Sequence, residues 1–200
     1  GRGSTPVLVG DDGAALGVIG LADRLRANGR GAVTGLRDAG VEHVVLLTGD
    51  SAASAAMIRD GVGLDAAHGS LLPQDKVDHV RRLRAAYGPV AMVGDGVNDA
   101  PAMAASDVGI AMGVSGTGVA LETADVALMT DDLNKLPYAF RLARATLANI
   151  RVNIGIAVGL KLAFVVLAAS GVATLWMAVL ADTGASILVT ANSLRLLRVR

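Results

Sequence analysis

The chain has 200 residues, 18 basic and 18 acidic side chains, a formal net charge of zero and 52% hydrophobic residues. A balanced charge leaves no electrostatic footprint for nucleic acid, and the lack of cysteine excludes a disulfide framework or a thiolate metal site within the chain. A mean hydropathy of +0.53 is high for a soluble domain, and the excess lies between Asn153 and Leu194, after some 150 residues of ordinary globular polarity.

Gly1 to Thr5 lacks the apolar core of a secretory signal and has no initiator Met, so the chain reads as a piece of something longer. Pro6 to Val9 and Leu16 to Leu21 flank Gly10-Asp11-Asp12-Gly13, the pattern of a β-hairpin with Asp-Gly at its turn. Ala32 to Ala39 predicts a short helix stopped at Gly40. Val41 to Leu47 is a β-branched-rich strand ending at Thr48-Gly49-Asp50, and Ser51 opens a helix to about Asp60 with Ser or Asp as its cap. Gln74 to Ala86 carries Val77, Val80 and Leu83 at helical spacing. Pro89 to Val93 is a buried strand, Ala100 to Ala105 a short helix and Val108 to Ala111 a strand; Gly116 to Glu122 fits a turn and helix, and Val126 to Met129 a last strand. Strands alternating with helices imply an α/β fold with a doubly wound parallel sheet.

Leu133 to Asn149 predicts a connecting helix that runs into two apolar spans, 150–170 and 174–194, with Gly171 between them. Each has about the 20 residues that cross a bilayer core as a helix. Arg141, Arg144 and Arg151 precede the pair, Arg195, Arg198 and Arg200 follow it, and the turn is uncharged. The positive-inside tendency puts both outer ends in the cytoplasm and the turn outside, with Trp176 as an interfacial anchor. The chain therefore divides into 1–132, 133–149 and a two-helix transmembrane hairpin over 150–200. His43, His68 and His79 have no ligand spacing and read as ordinary surface residues.

The most informative run is Gly94-Asp95-Gly96-Val97-Asn98-Asp99-Ala100-Pro101-Ala102. A strand ending in Gly-Asp-Gly sets carboxylates at the carboxyl edge of a sheet, where open α/β folds bind ligands, and closely spaced carboxylates suit a hard cation such as Mg²⁺. The run resembles the hinge motif of P-type ATPases, ion pumps that form a phosphorylated aspartate. Thr48-Gly49-Asp50 resembles the same family's Thr-Gly-Asp, and Pro73-Gln74-Asp75-Lys76 its Pro-x-x-Lys. The resemblance spans nearly the whole chain, including Asp125. It implies an incomplete haloacid-dehalogenase-like phosphorylation domain that works with ATP and Mg²⁺. In that reading Asp95 binds Mg²⁺ with Asn98 and Asp99 in support, and Lys76 neutralises the transferred phosphoryl group. Thr48 donates a hydrogen bond to that group, Gly49 belongs to the same loop, and Asp50 helps hold the nucleotide and the hinge. Phosphoryl transfer rests on such positioning and cationic stabilisation.

The family's nucleophile, an Asp in Asp-Lys-Thr-Gly-Thr, does not occur in this sequence. Asp11-Asp12-Gly13 lacks the Lys-Thr that should follow and is explained by hairpin geometry. The resemblance places the nucleophile, the ATP-binding domain and a Cys-Pro-Cys membrane helix upstream, so the chain is expected to be inactive alone. It also leaves a vacant central strand position, so the strands at Val44–Leu47 and Val90–Val93 should not be hydrogen-bonded neighbours.

Within the spans, Lys161 and Asp182 are costly ionisable residues of the sort that face a bundle interior and pair. Asn153 with Lys161, then Asp182-x-Gly184 and Asn192, resembles the signature of the zinc/cadmium/lead-exporting branch. There the Asp binds the transported divalent cation and the Lys is an internal counter-ion. The expected partners are that cation, a lipid bilayer (the plasma membrane, with the bulk of the chain cytoplasmic) and upstream segments of the same pump. The alternatives are a membrane-anchored haloacid-dehalogenase-like phosphatase, with Asp11 or Asp12 as nucleophile, and a non-catalytic membrane subunit.

Overall fold

A computed structural model describes residues 5–11, 14–21, 28–95, 98–113, 124–172 and 174–198. The chain forms two compact units, Gly1–Pro137 and Tyr138–Arg200.

In the first unit, β1 (Thr5–Asp11) and β2 (Ala14–Leu21) pair antiparallel as a hairpin with a register shift between Val9 and Gly10. The Asp12-Gly13 turn lies outside the described residues. Helix α1 (Gly29–Asp38) buries Gly29, Ala32 and Val33. It ends with Gly40 at φ 83°, whose N–H donates to the Arg37 carbonyl, while the Val41 N–H donates to the Leu36 carbonyl. That C-terminal closure uses the backbone of Val41. The following strand, β3, is consequently only Val45–Leu47, shorter than the Val41–Leu47 expected.

Helix α2 (Ala52–Val62) starts at Ser51, whose side chain accepts from Ser54 N–H, and stops at left-handed Gly63. Strand β4 (Ala66–His68) has no β-branched residue and so no strand pattern in the sequence. Helix α3 (Pro73–Tyr87) buries Val77 and Val80. Then come β5 (Ala91–Gly94), α4 (Ala100–Ala105), β6 (Val108–Met112) and β7 (Val126–Leu128). The helix expected over Gly116–Glu122 lies outside the described residues.

All pairs after the hairpin are parallel, as β3–β4 and β5–β6–β7. Strands β3 and β5 do not pair, as expected for a vacant position between them. Yet Leu47 of β3 packs on the core formed by Val77, Val80, Met92, Ala102 and Met103, so the two sheets share one apolar seam under α3.

The parallel pairs are registered by one repeated device. An Asp directly before the later strand accepts a backbone N–H at the start of the earlier one. Asp65 takes Val44 N at 2.7 Å, Asp107 takes Val90 N at 2.9 Å, and Asp125 takes Gly109 N at 2.8 Å. Each bond satisfies a strand-end donor with a charged acceptor, the stronger class of hydrogen bond.

The second unit consists of helical hairpin residues. Helix α5 spans Lys135–Ala169, so the connecting segment and the first apolar span are one unbroken helix. At 1.5 Å per residue it is about 52 Å long, against a bilayer core of about 30 Å. Helix α6 (Leu175–Leu194) opens at Thr174, whose side chain accepts from Met177 N–H, and ends in a 3₁₀ turn, Arg195–Arg198. Gly171 at φ 76° makes the turn between them. Both helices are long and apolar enough to cross a membrane.

Candidate functional site

The site begins at the carboxyl end of β5. Gly94 closes that strand, Asp95 follows it on the surface, and Asp99 occupies the residue before α4. A Cβ on Gly94 would stand 2.5 Å from the Asp99 Cβ, so the missing side chain lets Asp99 fold back over the strand end. There the Asp99 carboxylate meets Lys76. Lys76 Nζ donates to Asp99 Oδ1 at 2.6 Å, with the two side chains only 13% and 16% exposed.

Lys76 is held there by the start of α3. Pro73 supplies the first helical residue without an orphan N–H, and Asp75 Oδ2 accepts from Leu72 N at 2.9 Å. Lys76, one residue on, projects from a fixed first turn toward Asp99. An ion pair shielded from water to this degree is a short charge-assisted bond rather than a screened surface contact.

A second cluster lies at the end of β3. Thr48 Oγ1 donates to Asp50 Oδ2 at 3.2 Å, and Asp50 N donates back to Thr48 Oγ1 at 3.1 Å. Leu71 N donates to the Thr48 carbonyl at 3.1 Å, and Ser70 N donates to the Asp50 carbonyl. The Thr48–Asp50 loop is thus tied to the segment that leads into α3 and Lys76. Its approach is close: a Cβ on Gly69 would lie 2.7 Å from Ala52 Cα and N, and Ser70 carries φ 58°. Among the described residues, no hydrogen bond or ion pair joins Thr48 or Asp50 directly to Lys76 or Asp99. Asn98 is exposed on the hinge loop.

Mg²⁺ takes one or two carboxylates and keeps several waters. Asp95 and Asp99 at one strand end fit that demand. Among the described residues, no group of three or more His, Cys, Asp or Glu forms a full cage.

Asp11 ends a strand of the separate antiparallel hairpin. It ends no strand of the parallel sheets, which counts against it as a nucleophile.

His68 and His79 are a correction. They are half-buried rather than ordinary surface residues, with ring centroids 4.3 Å apart. Strand β4 carries His68 to the face of α3. Burial and the neighbouring His68 and Arg82 hold the His79 pKa below its usual value, against the opposing pull of Asp75 and Asp78. His43 is exposed and stacks on Tyr87 at 4.1 Å.

In the second unit, Lys161 and Asp182 line one groove of about 520 Å³ between α5 and α6. Among the described residues no salt bridge joins the two. Trp176 is 77% exposed at the opposite end of the hairpin from the arginines.

The haloacid dehalogenase-like hydrolase family matches residues 1–107. The chain is 50% identical over its whole length to a probable cadmium-transporting ATPase of Staphylococcus aureus, of which it covers 25%. It is 56% identical, over 99% of its length, to the zinc/cadmium/lead-transporting P-type ATPase of Escherichia coli strain K12, of which it covers 26%. A crystal structure of a zinc-transporting PIB-type ATPase in the E2.Pi state superposes with a TM-score of 0.84 at 54% identity, over 98% of this chain and 32% of that one. The chain thus spans about a quarter to a third of these relatives.

Proposed function

The chain belongs to the haloacid dehalogenase-like hydrolase family, and from that premise we propose that it is the phosphoryl-handling and membrane-exit portion of an ATP-driven pump for divalent heavy-metal cations. The cargo class is zinc, cadmium or lead, by similarity to the relatives named above. The observation that carries the reading is the shielded Lys76–Asp99 pair at the end of β5. Two residues 23 positions apart converge there beside an exposed carboxylate, Asp95.

The roles follow from the donors present. Lys76 has three N–H donors and uses one on Asp99, leaving two for the oxygens of a transferred phosphoryl group. The Thr48 hydroxyl would be a second donor once its single proton turns from Asp50 Oδ2 to that group, and the Leu71 bond ties its loop to the segment that leads into α3. Asp95, with Asp99 and Asn98 in support, would hold Mg²⁺, whose chemistry when bound is to offset phosphate charge. The nucleophilic aspartate, and ATP itself, would be brought by other segments of the same protein. A strand inserted between β3 and β5 would set that aspartate between Thr48 and Asp95. Asp182 would bind the cargo cation in the groove, with Lys161 taking its charge when the cation leaves. Both arginine-rich ends of the hairpin would then lie in the cytoplasm, with the pump in the plasma membrane.

The test is zinc- and cadmium-stimulated ATP hydrolysis by the full-length protein in lipid. Lys76→Met should lower the rate about 100- to 1,000-fold, the usual effect of losing one charge-stabilising donor. Asp182→Ala should abolish metal stimulation while leaving the protein in the membrane. Wild-type stimulation in both variants would overturn the reading.

A further inference from the structure

Helices α5 and α6 are tied together by a polar cluster near their arginine-bearing ends. Asn149 Nδ2 donates to the Asn192 carbonyl at 2.8 Å, and Asn192 Nδ2 donates to Asn153 Oδ1 at 2.8 Å. Asn153 Nδ2 donates to Asn149 Oδ1 at 2.9 Å and to Ser193 Oγ at 3.0 Å. Ser193 Oγ also donates to its own helix at Val189 O, 2.9 Å away. The cluster is poorly suited to hold a cation, because its amide oxygens are already engaged. Asn149 Oδ1 and Asn153 Oδ1 accept from neighbouring amides, and Asn192 Oδ1 faces Arg195.

The placement suggests a different use. Asn149 and Asn153 are one helical turn apart on α5, on the stripe that continues through Ala157 to Lys161. Ser193 lies on the stripe of α6 that runs back through Val189 and Ser186 to Asp182. Between Ser186 and the cluster the groove is lined by apolar side chains such as Ala157 and Val189, which make no directional bond that would fix a register. Slipping one helix by a residue turns its face by about 100°, which would carry Asp182 out of the groove that Lys161 lines.

We propose that Asn149, Asn153, Asn192 and Ser193 form a register clamp, a set of positioning residues that keeps Lys161 and Asp182 on the same groove. The clamp acts at a distance, about 12 Å along α5 from Asn153 to Lys161. Its directional hydrogen bonds define the one register that apolar packing leaves open, because an amide left unpaired in hydrocarbon is costly. Its consequence for cargo rests on the pump reading; its effect on register does not.

The test uses the full-length protein in its membrane, with Ala157→Cys on α5 and either Val189→Cys or Leu188→Cys on α6. Ala157 and Val189 line the groove, whereas Leu188 is 55% exposed and lies outside it. This chain has no cysteine of its own, so links mapped to its peptides come from the introduced pair. With the clamp intact, oxidation should link 157 to 189 about tenfold faster than 157 to 188. In Asn153→Leu/Asn192→Leu, which keeps the branched shape and heavy-atom number and removes the amides, the preference should fall below about threefold. A preference unchanged in that variant overturns the proposal. The Asn153→Ala/Asn192→Ala variant should behave likewise, and if it fails to accumulate, the Leu pair decides alone. In the same Leu variant, half-saturating Zn²⁺ for ATP hydrolysis should rise about tenfold with kcat within about twofold. A merely structural stitch would lower the membrane yield and move neither ratio. A wild-type protein without zinc stimulation would sink the pump reading and leave the cross-link result standing.

Discussion

Lys76 and Asp99 meet only because Gly94 has no side chain. Gly94→Ala would place a methyl carbon 2.5 Å from the Asp99 Cβ, so the hinge loop must shift and the pair must lengthen. The expected outcome is a loss of metal-stimulated hydrolysis comparable to Lys76→Met, about 100-fold or more, without loss of the folded domain. Hydrolysis assays beside circular dichroism would check it. His79 provides a prediction in pH. Its folded-state pKa lies below the ordinary value of 6.5. Below that value the unfolded chain binds more protons, so stability is complete above pH 6.5 and falls as the pH descends through the folded-state value. His68→Ala should flatten that fall, because the repelling partner is removed. Unfolding midpoints between pH 5 and 7.5 would show it, and identical slopes in both proteins would refute it.

The elements hold the site through a small seam rather than a large core. Met103 and Val80 are 1% exposed, and each touches the seam shared by α3, α4 and the two sheets. Met103→Ala should cost about 2–5 kcal/mol, the usual range for emptying a packed core position, read as a lower urea midpoint at constant slope. The β4–α3 connection is the more brittle element. Gly69 approaches the backbone of Ala52, which cannot yield as a flexible side chain could. Gly69→Ala should therefore push the Ser70–Leu71 segment off the Thr48–Asp50 loop. Thermal unfolding should fall by several degrees, since about 1 kcal/mol corresponds to roughly 2–8 °C in domains of this size.

For the molecule as a whole, β3 and β5 each keep an edge that pairs with no other strand among the described residues. Their free N–H and C=O groups are a template for another strand. Amides of residues 45–47 and 91–94 should exchange faster in this chain alone than in the full-length protein, where an inserted strand would protect them. Equal exchange in both would count against a strand between β3 and β5.

Much of this was legible in the sequence, for local physical reasons. The hairpin, the helix opening at Ser51, the helix from Gln74 and the two apolar spans follow from turn residues, capping side chains and hydrophobic runs. These act within a few positions. The three motifs could be read because their residue types recur at short spacing. What tertiary structure decided depends on neighbours distant in sequence. Val41 to Val44 left the strand because α1 needed the Val41 N–H and Asp65 took the Val44 N–H. Strand β4 exists because β3 offers its edge to Ala66–His68, not because those residues favour extension. The 2.6 Å contact between Lys76 and Asp99, the stacking of His68 on His79 and the amide cluster linking α5 to α6 have no signature at any single spacing. Each forms only where two elements have already packed, so the sequence could name the side chains and only the fold could bring them together.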